Sequence, residues 1–149
     1  MNNQNDTLIK VKEVLLLVAK KINSLGINWL LGGSGGLMVN RVEIIPHDLD
    51  FFVTRDGFDL LADKFSEYLV GKINLFNKAG KPIRNFKIVI KGIEVEFYEL
   101  KIKKSDLKTI DFNGEKIPVN PLEVELSYYK KRPGKEETVR LIEKKLISI

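Results

Sequence analysis

The sequence predicts an α/β chain whose sheet is mixed or largely antiparallel, and three observations carry that expectation. The stretch LLGGSGGLMVNRVEIIPHDLDFFV, Leu30 to Val53, reads as strand, glycine turn, short helix and strand. Around Lys91-Gly92, a two-residue loop of the kind hairpins favour, apolar residues alternate on both sides. Elsewhere apolar residues recur every three or four positions, the period of helices that cover one side of a sheet.

The first helix is expected from about Thr7 to Leu25, capped by Asp6 and ended by Gly26. Leu8, Val11, Leu15, Val18, Ile22 and Leu25 form its apolar stripe. A buried strand over Asn28 to Leu31 leads into a short helix over Ser34 to Asn40, and His47 to Val53 is the next strand. Asp56 to about Leu69 reads as a helix that buries Phe58, Leu61, Ala62, Phe65 and Leu69. A strand near Ile73 to Phe76 and a polar loop with Gly80 and Pro82 follow. The Phe86 to Leu100 hairpin pairs Ile90 with Ile93, Ile88 with Val95 and Phe86 with Phe97, so all six fall on one face. Its other face sets Lys87 across from Glu96 and Val89 across from Glu94. Asn113-Gly114 marks a second hairpin between Ile110–Phe112 and Ile117–Val119. Asn120-Pro121-Leu122-Glu123 then places cap, first-turn proline and acid in order for a helix ending near Pro133-Gly134. A last helix runs to about Ile147, with Val139, Ile142 and Leu146 on its buried stripe.

The 149 residues make one domain with a core of its own, and no repeat, low-complexity tract or linker divides them. A hydrophobic share of 44% and a charged share of 30% fit a globular fold and argue against disorder. There is no cysteine, which excludes disulfides and thiolate-bound zinc and suits a reducing compartment. The opening MNNQNDT has no basic start followed by an apolar run, and no apolar stretch nears the roughly 20 residues of a membrane span. A cytoplasmic protein with no membrane partner is expected. The formal charge of +5 is compatible with an anionic partner such as a nucleotide or RNA, although a solvated surface rich in lysine and glutamate is the better reading. No aromatic-basic RNA motif accompanies it.

Chemistry concentrates in the Leu30–Val53 stretch. Gly32-Gly33-Ser34-Gly35-Gly36 sits between a strand and a helix, where glycines permit a tight turn and close approach of a ligand. Free backbone N–H groups there, with the Ser34 hydroxyl, suit phosphate; a packed turn is the plain alternative. Asp48 and Asp50 stand two apart on the following strand, so both project to one side, while Leu49, Phe51 and Val53 take the other. Like charges placed together on a core strand call for a compensating cation. Magnesium, bound by one or two carboxylates plus substrate phosphates, answers that need. A third acid would complete a two-metal site. Glu94 and Glu96 are the candidates, and Glu96 has a competing use in a cross-strand ion pair with Lys87. His47 shares strand parity with Leu49 and Phe51 and reads as a packed or edge residue.

Together these residues resemble the nucleotidyltransferase superfamily related to DNA polymerase beta, which has a GG[ST] or GS turn, a D-x-D strand and a later acid. Gly33-Ser34, Asp48-Leu49-Asp50 and Glu96 in IEVEFYEL match that pattern. The resemblance implies a nucleotidyltransferase fold with helices packed on one side of the sheet. It implies that Gly32, Gly33 and Ser34 seat the triphosphate of a nucleoside triphosphate. Asp48, Asp50 and Glu96 would then hold two Mg2+ ions, with Mn2+ as a substitute, and activate an acceptor hydroxyl. Pro121, Glu123, Lys130, Arg132, Pro133, Lys135 and Glu136 are similar in type to a stretch of small aminoglycoside nucleotidyltransferase-like relatives, which would turn Lys130 toward the phosphates. Here Ile44 and Pro46 replace an arginine and a threonine common before the first Asp, and the third acid is Glu where Asp is usual.

The implied reaction is magnesium-dependent transfer of NMP, foremost AMP from ATP, to an acceptor hydroxyl on a small molecule, an RNA end or a protein, with release of pyrophosphate. No second helical domain follows, so a homodimer mate or a partner protein would complete the substrate pockets. The alternative is an antitoxin-like binding protein that neutralises a partner toxin without catalysis. A basic nucleic-acid-binding module is a third option, marked by steep salt dependence.

Overall fold

The computed structural model describes residues 3–78 and 80–148. In chain order the elements are α1 (Asn3–Ser24), β1 (Trp29–Gly32), α2 (Gly33–Val39), β2 (Asp48–Val53), α3 (Arg55–Lys64), β3 (Leu69–Lys78) and β4 (Lys81–Ile90). There follow β5 (Ile93–Glu99), β6 (Lys108–Phe112), β7 (Glu115–Val119), α4 (Leu122–Lys130) and α5 (Glu136–Ile147). The strands form one sheet in the order β3-β4-β5-β2-β1-β7-β6. Pairings β2–β5 and β1–β7 are parallel, and β1–β2, β3–β4, β4–β5 and β6–β7 are antiparallel. The sheet is mixed and mostly antiparallel, as the sequence predicts.

Both hairpins close as expected. Lys91 and Gly92, like Asn113 and Gly114, take positive φ at the two central turn positions, the geometry that matches strand twist. The β4–β5 ladder pairs Ile90 with Ile93, Ile88 with Val95, Phe86 with Phe97 and Lys87 with Glu96. That register sends one set of side chains into the core. Phe97 stacks between Phe51 at 5.4 Å and Phe86 at 4.8 Å, and Phe58 meets the Phe86 ring edge-on at 5.1 Å. Helix α1 covers this face with Val11, Val14, Leu15, Val18, Ala19 and Ile22, and α3 adds Phe58 and Leu61. A smaller cluster of Leu37, Val42, Leu122, Tyr129 and Ile142 ties α2 to α4 and α5.

Several boundaries differ from expectation. Helix α1 already runs at Asp6, which therefore sits in the first turn, favourable for the helix dipole, and does not cap it. Helix α3 stops at Lys64; a short 3-10 turn over Ser66–Tyr68 follows, and Leu69 opens β3 opposite Ile88. The expected polar loop around Gly80 and Pro82 is a long antiparallel arm, in which Pro82 pairs with Asn77 near the sheet edge. Pro121, not Asn120, caps α4; the Asn120 side chain donates instead to Glu125 Oε1 at 2.9 Å. Helix α4 ends at Lys130, short of Pro133-Gly134. His47 lies just outside β2 and is exposed. Among the described residues no helix is long and apolar enough to cross a membrane.

Candidate active site

The site is built where β1 ends. Its last residue, Gly32, pairs with Asp50 of the adjacent β2. Gly33 then turns the chain into α2 at φ +56. A Cβ on Gly33 would stand 2.8 Å from Asp50 Oδ2, so the bare glycine is what lets the carboxylate lie against the bend. A Cβ on Gly36 would press to 2.6 Å from the Leu31 carbonyl oxygen, which explains why α2 can pack so closely on β1. The glycine run thus allows close backbone packing at Gly36 and leaves room for the Asp50 carboxylate at Gly33.

Strand β2 alternates as expected, with Leu49, Phe51 and Val53 buried, Asp48 exposed and Asp50 half-buried. Strand β5 runs parallel beside it and sets Glu96 directly opposite Asp50 and Glu94 opposite Asp48. Neighbouring strands lie about 4.8 Å apart, so the Asp50 and Glu96 backbones are that close. Burial pushes the Asp50 carboxyl up to about 6, and the charges of Asp48 and Glu96 add to the shift. Arg132 pulls weakly the other way. Asp48 and Glu96 thus both lie close enough for their charges to act on Asp50.

Glu96 and Glu94 differ in their surroundings. The Glu96 side chain is 21% exposed, and its Oε2 accepts from the Tyr98 hydroxyl at 2.7 Å and from Asn85 Nδ2 at 3.1 Å. The Glu94 side chain is 54% exposed and, among the described residues, pairs with Lys87 alone, at 3.6 Å. Lys87 Nζ also stands 3.8 Å from Glu96 Oε1, so the expected cross-strand ion pair exists, though loosely. Glu96 is the more buried of the two and the one opposite Asp50.

Lys130, expected to face the phosphates, is exposed and stands 3.8 Å from Glu143 of α5. Arg132, just past α4, lies over the Tyr129 ring at 5.4 Å and is the cation whose field reaches Asp50. Tyr98 and Asn85 were also missed from sequence. The hairpin register that pairs Lys87 with Glu96 places Asn85 opposite Tyr98, and Tyr98 shares the face of Glu96 two residues on. That signal was available.

Among the described residues no group of three or more His, Cys, Asp or Glu side chains is arranged to hold a metal ion by itself. Magnesium needs none, because substrate phosphates and water complete its octahedron. An acid pair on one rigid strand, a third acid in register and a raised Asp50 pKa fit a divalent cation bound together with an anionic substrate. A cleft lined by Leu8, Met38, Ile44, Ile110 and Phe112 contains none of these acids.

This strand order, with a glycine bend beside paired acids, defines a nucleotidyltransferase fold. Solved structures bear that out. A protein of Thermotoga maritima assigned to the nucleotidyltransferases is 24% identical, with a TM-score of 0.65 over 92% of this chain and 94% of its own. A lincosamide antibiotic adenylyltransferase, solved with lincomycin bound, is 10% identical at a TM-score of 0.64, over 87% and 94%. The antibiotic-resistance factor ANT(2'')-Ia is 16% identical at 0.52, over 98% and 86%. No protein-family model matches the sequence, and no curated protein matches it significantly.

Proposed function

We propose that this chain is a magnesium-dependent nucleotidyltransferase that moves NMP, foremost AMP from ATP, onto an acceptor hydroxyl and releases pyrophosphate. The single observation that carries this reading is Asp50 lying against the bare Gly33 bend while facing Glu96 across a parallel pair of strands. Backbone N–H groups of Gly33 and Ser34, with Gly32 behind them, would seat the triphosphate. Asp48, Asp50 and Glu96 would hold the two ions. When bound, magnesium neutralises charge on the phosphates and lowers the pKa of the attacking hydroxyl. Arg132, whose charge already reaches Asp50, is better placed to face the triphosphate than Lys130. Glu96 helps activate the acceptor. The acceptor hydroxyl gives its proton up to water as its oxygen bonds to the α-phosphorus, the α–β bridge breaks, and pyrophosphate leaves with the bonding pair. Positioning and charge neutralisation supply most of the rate in such chemistry.

One neighbour is described as a lincosamide adenylyltransferase, so hydroxylated small molecules head the acceptors to test, ahead of RNA ends and protein side chains. The test supplies ATP labelled at the α-phosphate, magnesium and a panel of lincomycin, aminoglycosides, tRNA and cell lysate. Label transfer with pyrophosphate release is expected, and the Asp48→Ala, Asp50→Ala double variant should abolish both. Equal release by that variant would overturn the reading.

A partner-binding role has its own observation. The edge strand β3 exposes Val70, Ile73, Leu75 and Phe76, with Leu75 70% exposed. An uncovered apolar edge suits a second copy of this chain or a partner protein, as in an antitoxin that neutralises without catalysis. Calorimetry separates the readings: no magnesium-dependent ATP binding, together with tight capture of a partner, would favour binding alone.

A further inference from the structure

Glu96 is held more firmly than the other acids of the site. Its Oε2 accepts two hydrogen bonds, from the Tyr98 hydroxyl at 2.7 Å and from Asn85 Nδ2 at 3.1 Å, whereas among the described residues Oε1 has only Lys87 Nζ at 3.8 Å. Both donors of Glu96 come from a single rung of the sheet, because Asn85 of β4 pairs directly with Tyr98 of β5.

Tyr98 is itself fixed. Its ring stacks on Phe52 at 5.1 Å, and Phe76 meets it edge-on at 6.5 Å. A glutamate carries one more rotatable bond than an aspartate, and a third acid of that length needs support to hold one geometry. Two donors on one oxygen provide it, and they leave the other oxygen to be offered elsewhere.

Resting on the magnesium reading above, we propose that Tyr98 and Asn85 are positioning residues that clamp Oε2 of Glu96 and thereby present Oε1 to a divalent cation shared with Asp50. Hydrogen-bond partners of ligating carboxylates orient the ligand, and their loss typically weakens metal affinity by about 10- to 100-fold.

The test is a Mn2+ titration followed by electron paramagnetic resonance, with a non-hydrolysable ATP analogue at saturation. It compares the wild-type chain with Tyr98→Phe, Asn85→Ala and Glu96→Gln. Tyr98→Phe retains the ring and its stack on Phe52, and thermal melting checks that each variant is folded. The wild type should take up two ions, and Glu96→Gln should lose the weaker. Tyr98→Phe and Asn85→Ala should each weaken that ion about 10-fold while the tighter ion and the nucleotide stay within about twofold. If both leave the weaker ion unchanged while Glu96→Gln removes it, the clamp is overturned and the metal site stands. If Glu96→Gln keeps both ions, the clamp is overturned because Glu96 is no ligand. Absence of any nucleotide-dependent Mn2+ uptake by the wild type would instead remove the magnesium reading beneath it.

Discussion

Strands β2 and β5 lie side by side in register, and their two faces could hardly differ more. On one, Leu49, Phe51 and Val53 meet Val95 and Phe97, all fully buried. On the other, Asp48 and Asp50 meet Glu94 and Glu96, and burial has raised the Asp50 pKa. Alternate residues of the same ten or so positions therefore do opposite work. The inner row supplies stability by burying apolar surface. The outer row costs stability by gathering like charges around a partly buried carboxyl.

Substitutions should separate the rows. The largest expected effect is on the outer one: Asp48→Ala with Asp50→Ala should lower nucleotidyl transfer by about 10³-fold or more, roughly 4 kcal/mol. The melting temperature should hold steady or rise. Phe51→Ala should do the reverse, costing about 3–5 kcal/mol in urea denaturation by removing a ring packed on Trp29 and Phe97, with nucleotide affinity per folded molecule little changed. Should Phe51→Ala prove neutral, the assignment of stability to the inner row would fail.

Gly33→Ala joins the two rows. It forces alanine into a positive φ, at about 1–2 kcal/mol, and pushes its Cβ toward Asp50 Oδ2. Nucleotide affinity should fall further than stability does. The pH profile of the metal-free protein is a subtler probe. The folded Asp50 carboxyl has a pKa of about 6 against an ordinary 3.8, so the folded state binds this proton more tightly than the unfolded chain. Its contribution is fully present below about pH 3.8 and is lost as pH rises through 6. Asp50→Asn should therefore stabilise the metal-free protein at pH 7 by about 1–2 kcal/mol and flatten this limb of its profile. The smallest change is expected from Lys87→Ala, under about 1 kcal/mol, because its contacts with Glu94 and Glu96 are long and partly exposed.

The same contrast explains how much could be read beforehand. Strong alternation made the inner row legible: the β4–β5 register follows from six apolar residues around Lys91-Gly92, and it is the register observed. The acid pair was legible from parity alone. The β3–β4 arm was not, because an edge strand rich in Asn and Lys has no buried face to impose a period, and Gly80 with Pro82 resembles loop chemistry. Helix α3 was overextended for a related reason: Phe65 continues the helical stripe, yet Leu69 finds its partner in Ile88, far along the chain. The choice between Glu94 and Glu96 depended on β5 lying parallel beside β2, a non-local pairing that periodicity cannot supply. Arg132 is visible in the sequence only as part of a family-like stretch, because its nearness to Asp50 depends on where α4 stops.

The most direct test of the central claim is a crystal structure of the chain with a non-hydrolysable ATP analogue and manganese, read through the metal's anomalous signal. The account predicts manganese peaks against Asp48, Asp50 and Glu96, with the triphosphate seated on the Gly33–Ser34 bend. Nucleotide bound elsewhere, or a triphosphate at the bend with no metal at those carboxylates, would contradict it.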